Sequence, residues 1–148
     1  MRKTVAALFL LSILFLSGCS LLEGANNTLN YVNESMEYAN EASRFADEVP
    51  QLAEQAVNNP QVLNDFKSRL LQMQEDIEEF NALDPPGIGE NLHQQVVGYN
   101  EQALEGIQLY LDNIENGTLD PDLIENTEVF RTFAEIQSLL NQIEQLGN

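Results

Sequence analysis

PQVLNDFKSRLLQMQEDIEEFN, residues 60–81, carries Leu63, Phe66, Leu70, Met73, Ile77 and Phe80 at intervals of 3, 4, 3, 4 and 3. An α-helix turns once in about 3.6 residues, so these six side chains form one stripe along a helix. Glu75, Asp76, Glu78 and Glu79 fall off the stripe and face water. Such a seam is made for packing against other helices. In front of it, Asn59 offers a side-chain oxygen to the first free backbone N–H groups, and Pro60 takes the first helical position, where a missing N–H costs nothing. Behind it, Asp84-Pro85-Pro86-Gly87 ends the run and caps the next helix.

The same period continues on both sides. A third helical segment, about 86–116, places Ile88, Leu92, Val96, Tyr99, Ala103, Ile107, Tyr110 and Ile114 on one face, and Asn116-Gly117 is a stop signal. Asp120-Pro121-Asp122 starts a short turn, and a last helix over about 127–146 presents Val129, Phe133, Ile136, Leu140 and Ile143. Upstream, residues 28–57 carry Leu29, Val32, Met36, Ala39 and Ala46 near heptad spacing, with a second stripe of Tyr31, Tyr38, Ala42, Phe45, Val49 and Leu52 beside it. Pro50 kinks or divides this helix, since an internal proline removes a hydrogen bond and clashes with the preceding turn. No stretch alternates with the two-residue period of a strand. Long helices with short connections pack as antiparallel neighbours, so the expected fold is all-α: an up-down bundle of about four helices, the first kinked or split at Pro50.

Residues 1–18 have another character. Arg2 and Lys3 precede VAALFLLSILFL, Val5 to Leu16, an apolar run interrupted only by Ser12. Its length suits the apolar region of a secretory signal and falls short of the roughly 20 residues of a transmembrane helix. Directly behind it stands Leu16-Ser17-Gly18-Cys19, the lipobox pattern of bacterial lipoprotein precursors. The cysteine sulfur becomes a diacylglyceryl thioether, and small residues before it admit an extended backbone to the signal peptidase. Cleavage after Gly18 leaves Cys19 as the first residue. One acyl chain binds a membrane only marginally; two, at about 0.8 kcal/mol per buried CH₂, hold firmly. Cys19 is the sole cysteine, so no internal disulfide competes for it. The expected organisation is a signal peptide over 1–18, a lipidated tether over 19–27 and an acidic helical bundle over 28–148.

Charge changes at the same boundary. The leader holds two of the six basic residues and none of the 24 acidic ones, so the mature chain sets four cations against 24 carboxylates, a net charge of −20. Four scattered cations cannot build the phosphate-facing surface that nucleic acid requires. An anionic membrane repels such a domain within about one Debye length, roughly 8–10 Å.

Residues able to carry chemistry are few. His93 is the only histidine and lies at the edge of the apolar face of the third segment. Glu90-x-x-His93 matches one element of a di-iron bundle, but such a site needs two of these elements and two further inward glutamates. Ser35, Ser43, Ser68 and Ser138 sit within helical pattern, away from any nucleophile-elbow turn. Gly87-Ile88-Gly89 lacks the third glycine, the strand and the lysine of a phosphate loop. Asp120, Asp122 and Glu125 do not follow the alternation of a calcium loop, and Asp120 and Asp122 read as a helix cap and first-turn acid. The tyrosines at 31, 38, 99 and 110 belong to the core or its edge; Tyr99 and Tyr110 are the candidates for a ligand groove. Gly98 and Gly106, inside the third helix, point to a close helix crossing or to a ligand gap.

With these residues laid out, the chain resembles an uncharacterised family of small lipoproteins from Bacillus-type Gram-positive bacteria. The resemblance rests on the lipobox followed by Asn27-Thr28-Leu29-Asn30-Tyr31-Val32-Asn33-Glu34, then Leu92-His93, Tyr99-Asn100-Glu101, Leu104-Glu105-Gly106-Ile107 and Leu140-Asn141-Gln142-Ile143-Glu144. It implies a Gram-positive host and carries a role to one residue, Cys19. The expectation is a non-enzymatic protein without cofactor or metal. It is anchored through Cys19 on the extracytoplasmic face of the cell membrane and works through an envelope protein partner. A module holding a small molecule or lipid between its helices is the alternative.

Overall fold

The structure is a computed structural model and describes residues 18–114, 117–124 and 128–147. Its helices are α1 (Gly18–Ala56), α2 (Pro60–Asn81), α3 (Glu90–Ile114), the single turn α4 (Pro121–Ile124) and α5 (Glu128–Glu144), which runs into a 3-10 turn over Gln145–Gly147. No strand occurs among the described residues. α1 packs against α2 and α5; α3 packs against α5 and, less closely, against α2. Tyr38 meets Phe80 while Glu48 meets Arg69, and Phe45 meets Phe133 while Val32 lies beside Gly147, so α2 and α5 run antiparallel to α1. The all-α bundle expected from the sequence is the fold observed.

All six seam residues of α2 are buried, and Asn59 Oδ1 accepts the backbone N–H groups of Gln61 at 3.0 Å and Val62 at 3.4 Å. The core continues through Phe45, Phe133, Ile107, Ile136 and Ile143, all fully buried. Gly117 ends the α3 connection with a φ of +78°, a region open to glycine at little cost, and its N–H bonds to Ile114 O at 2.8 Å.

Four expectations are corrected in detail. On α1 the aromatic stripe, Tyr31, Tyr38, Phe45 and Val49, enters the core together with Val32 of the first stripe, whereas Leu29 is 50% exposed and Met36 39%. The two stripes are adjacent, and the bundle covers the edge they share: Val32 is buried and Ala39 and Ala46 pack against the core, while Leu29 and Met36 lie on the outer edge of the first stripe. Pro50 does not split α1, which runs unbroken through it. Val49, Ala53 and Ala56 are completely or almost completely buried on either side, and this packing outweighs the lost hydrogen bond. α1 is also helical from Gly18, upstream of the start near residue 28 that the apolar periodicity suggests. Finally, α3 starts at Glu90, after a turn closed by Gly89 N–H to Pro86 O at 2.7 Å, and leaves Ile88 66% exposed.

The two glycines of α3 differ in kind. A Cβ at Gly98 meets nothing within 4 Å, whereas one at Gly106 overlaps the Val129 side chain where α3 crosses α5. Gly98→Ala should therefore raise stability by about 0.5–1 kcal/mol, the difference in helix propensity, and Gly106→Ala should lower it. Phe45→Ala should cost about 3–5 kcal/mol, and Met36→Ala under about 0.5 kcal/mol. Urea unfolding of the four purified variants measures all of these, and equal losses at Phe45 and Met36 would refute the choice of core stripe.

Candidate functional site

Buried polar side chains collect at one end of the bundle, where the first turns of the α1 core stripe meet the end of α2 and the start of α3. Asn100, completely buried, accepts from Tyr38 OH through Oδ1 at 2.6 Å and donates from Nδ2 to Asn81 Oδ1 at 2.7 Å. One chain of hydrogen bonds thus joins α1, α3 and α2. Two turns closer to the end, Tyr31 OH lies 3.2 Å from His93 Nδ1, and the imidazole stacks on Phe80 with centroids 4.9 Å apart. Ser35 follows one turn beyond Tyr31, buried; its hydroxyl lies near the Tyr31 phenol without forming a well-shaped hydrogen bond.

Burial sets the protonation of this cluster. Desolvation pushes the phenols of Tyr31, Tyr38 and Tyr110 upward, and the Asp76 carboxylate adds to the effect at Tyr38. The same desolvation holds His93 below its ordinary value, opposed in part by the Asn81 carbonyl. These groups are neutral hydrogen-bonding partners, not acids or bases presented to solvent.

Outside this cluster, α1 and α2 enclose a groove of about 600 Å³. Tyr38 and Phe80, stacked with centroids 4.8 Å apart, line its inner side. Glu34, Glu37 and Glu41 line it from α1, Asp76 and Glu79 from α2, and Leu83 closes one end. Arg69 supplies the groove's cation; it reaches Glu41 at 3.7 Å and Glu48 at 3.6 Å, tying the two helices together. Asp76 Oδ1 accepts from Gln72 at 3.0 Å, while its buried Oδ2 has no partner among the described residues. The heptad steps of α1 put its glutamates on one flank, so the groove carries a concentrated negative potential suited to cations.

The residues singled out from sequence fall in different places. Leu16 and Ser17 lie outside the described residues; Gly18 and Cys19 are backbone of the first turn of α1. Tyr110 is buried, donates to Leu123 O at 2.9 Å and lines a smaller groove of about 330 Å³ with Gly106, Leu109 and Val129. Tyr99 packs half-buried on the core about 16 Å away along α3 and lines neither groove. The two tyrosines do not share a site. His93 is 7% exposed and turned inward rather than at the boundary, and Glu90 beside it is exposed. Among the described residues no three histidine, cysteine, aspartate or glutamate side chains are grouped to hold a metal. Asn100 escaped the sequence reading because Tyr99 filled the apolar slot next to it; its place midway between Val96 and Ala103 was the available signal.

The depressed His93 gives a pH dependence with a definite sign. Unfolding restores its ordinary value of 6.5, so the unfolded chain takes up a proton first as pH falls. Stability is complete above that value and decreases below it, before the carboxylates titrate. Because His93 is the only histidine, His93→Gln should remove the slope between about pH 6.5 and 5 in urea midpoints. A slope that survives the substitution would place its origin elsewhere.

With the geometry described, comparison with known proteins adds identity. The chain is 29% identical over 147 residues, 99% of its own length and 99% of the other's, to a protein of Bacillus subtilis (strain 168) called "Uncharacterized lipoprotein YybP". No solved structure matches the chain. Residues 31–146, from the first buried tyrosine of α1 to the terminal 3-10 turn, match the model described as "Family of unknown function (DUF6376)". The chain belongs to that family.

Proposed function

We propose that the protein is a lipoprotein held to the extracytoplasmic face of the cell membrane through a diacylglyceryl group on Cys19, and that its bundle acts by binding an envelope partner rather than by catalysis. The observation that carries this reading is the continuity of α1 from Gly18, the residue before the lipobox cysteine, into the buried core at Tyr31. The lipid is thereby joined to the domain by a helix. The thirteen residues from Cys19 to Tyr31 span about 18 Å, beyond the roughly 8–10 Å over which an anionic surface repels a charged domain. The name of the Bacillus subtilis relative supports the anchor, and among the described residues no helix is long and apolar enough to cross a membrane. The inward turn of His93 supports the non-enzymatic part.

A second reading has its own observation, the groove between α1 and α2 with its aromatic inner wall. A small cationic molecule held there would make the domain a binding module. Native mass spectrometry of gently extracted protein separates the two readings: a reproducible bound small molecule favours the second.

For the first reading, Cys19→Ala should abolish lipid attachment, leaving the protein uncleaved or released. Crosslinking in living cells should then lose the partners seen with the intact anchor. Unchanged processing and membrane fractionation of that variant would overturn the anchor.

A further inference from the structure

α1 has a face that the bundle does not use. Leu29 and Met36, one heptad apart, are two of the most exposed large apolar side chains of the described residues, and in the sequence the same spacing reaches back to Leu22. Beside this stripe run Asn26, Asn33 and Asn40, again at seven-residue intervals and all exposed. On its other side stand Ala25, Val32 and Ala39. Three consecutive heptads thus read large apolar, small or branched apolar, asparagine. Val32 is covered by the terminal turn, close to Gly147, so over the bundle the open part is the leucine-methionine stripe with its asparagines. The buried core of α1 starts at Tyr31 among the described residues.

The charge distribution on α1 is uneven in the same sense. Between residues 24 and 42 its acidic residues are Glu34, Glu37 and Glu41, and all three line the groove on the α2 side. The face with Leu29 and Met36 is neutral on a domain whose net charge after cleavage is −20. Two copies of so acidic a protein repel each other through most of their surfaces, and this face is where approach costs least.

We propose that α1 pairs, parallel and in register, with α1 of a second copy of this chain through the Leu29–Met36 face; the proposal rests on the anchoring reading above. Tethering both copies at Cys19, one residue into the helix, puts both N-termini at the same height and points both helices the same way. A parallel heptad seam requires that arrangement. A stripe of two or three side chains per copy falls well short of the roughly 1,200–2,000 Å² of a stable interface in solution. Confinement to one membrane plane raises the effective concentration and compensates, so the pairing depends on the anchor.

The test uses the full chain with its lipobox intact. Leu29→Cys and Met36→Cys place a thiol on the proposed face; Asn27→Cys and Glu34→Cys place it on the far side of α1. Cys19 carries the lipid, so the introduced residue is the free thiol, and copper phenanthroline in intact membranes oxidises two such thiols to one disulfide. Dimer of twice the protein's mass is expected from Leu29→Cys and Met36→Cys, at least about 10-fold more than from the other two. Adding Leu29→Glu to Met36→Cys should remove it while the helical circular dichroism stays unchanged. Lipidated, membrane-bound protein that gives no dimer, equal dimer from all four positions, or an adduct of another mass overturns the pairing alone. Protein recovered soluble and without lipid overturns the anchor, and the pairing with it.

Discussion

A completely buried asparagine has four hydrogen-bonding positions to satisfy and no water to help. Asn100 meets half of that demand, one bond at each end of its amide, by drawing Tyr38 from α1 and Asn81 from α2 onto itself at 2.6 and 2.7 Å. Apolar seams tolerate sliding by a turn because one leucine replaces another; a buried polar chain does not, since a slip leaves donors and acceptors unpaired at about 1–3 kcal/mol each. The chain from Tyr38 through Asn100 to Asn81 therefore fixes the axial register of three helices. The stacking of Phe80 between Tyr38 and His93, and the tie from His93 to Tyr31, follow from that register. α5 is not part of the polar chain and is placed by apolar contacts, chiefly Phe133 on Phe45 and the close approach of Val129 to Gly106.

The bundle itself was legible in the sequence because the 3-4 spacing of α2 admits one reading, and because Asn59-Pro60 marks a helix start in chemistry as well as pattern. α1 was less legible. It carries two stripes of comparable hydropathy, and sequence alone does not say which one finds a partner. Its aromatic stripe is interrupted by Ser35, which the structure buries. Proline punctuation also misled at Pro50, where the helix continues through the proline because the residues around it are well packed. The polar cluster was hidden for a different reason. His93 and Asn100 are the residue types that a hydrophobic pattern excludes from a core, and only the neighbouring helices show that their hydrogen bonds are met. The groove was unreadable because its two walls lie about 40 residues apart in the chain.

Charge is sorted by face rather than spread evenly. The flank of α1 toward α2 gathers three glutamates opposite Asp76 and Glu79, with Arg69 partly compensating at one end. The opposite flank is neutral and partly apolar. Such segregation costs some repulsion within the groove, and it gives two surfaces of one helix different character: one acidic, the other uncharged and partly apolar.

The unbroken α1 also determines where the domain can work. A flexible tether of nine residues would let the bundle wander over roughly 17 Å and rest at any height above its anchor. A helix that enters the core without a joint acts as a strut, so the proposed anchoring through Cys19 would carry the bundle at one standoff distance and turn it with the lipid. Tilting the domain tilts the first helical turn at the bilayer surface. The space sampled by a domain anchored in that way would be a thin layer parallel to the membrane, and molecules whose contact surfaces lay above or below that layer would be out of reach whatever their chemistry.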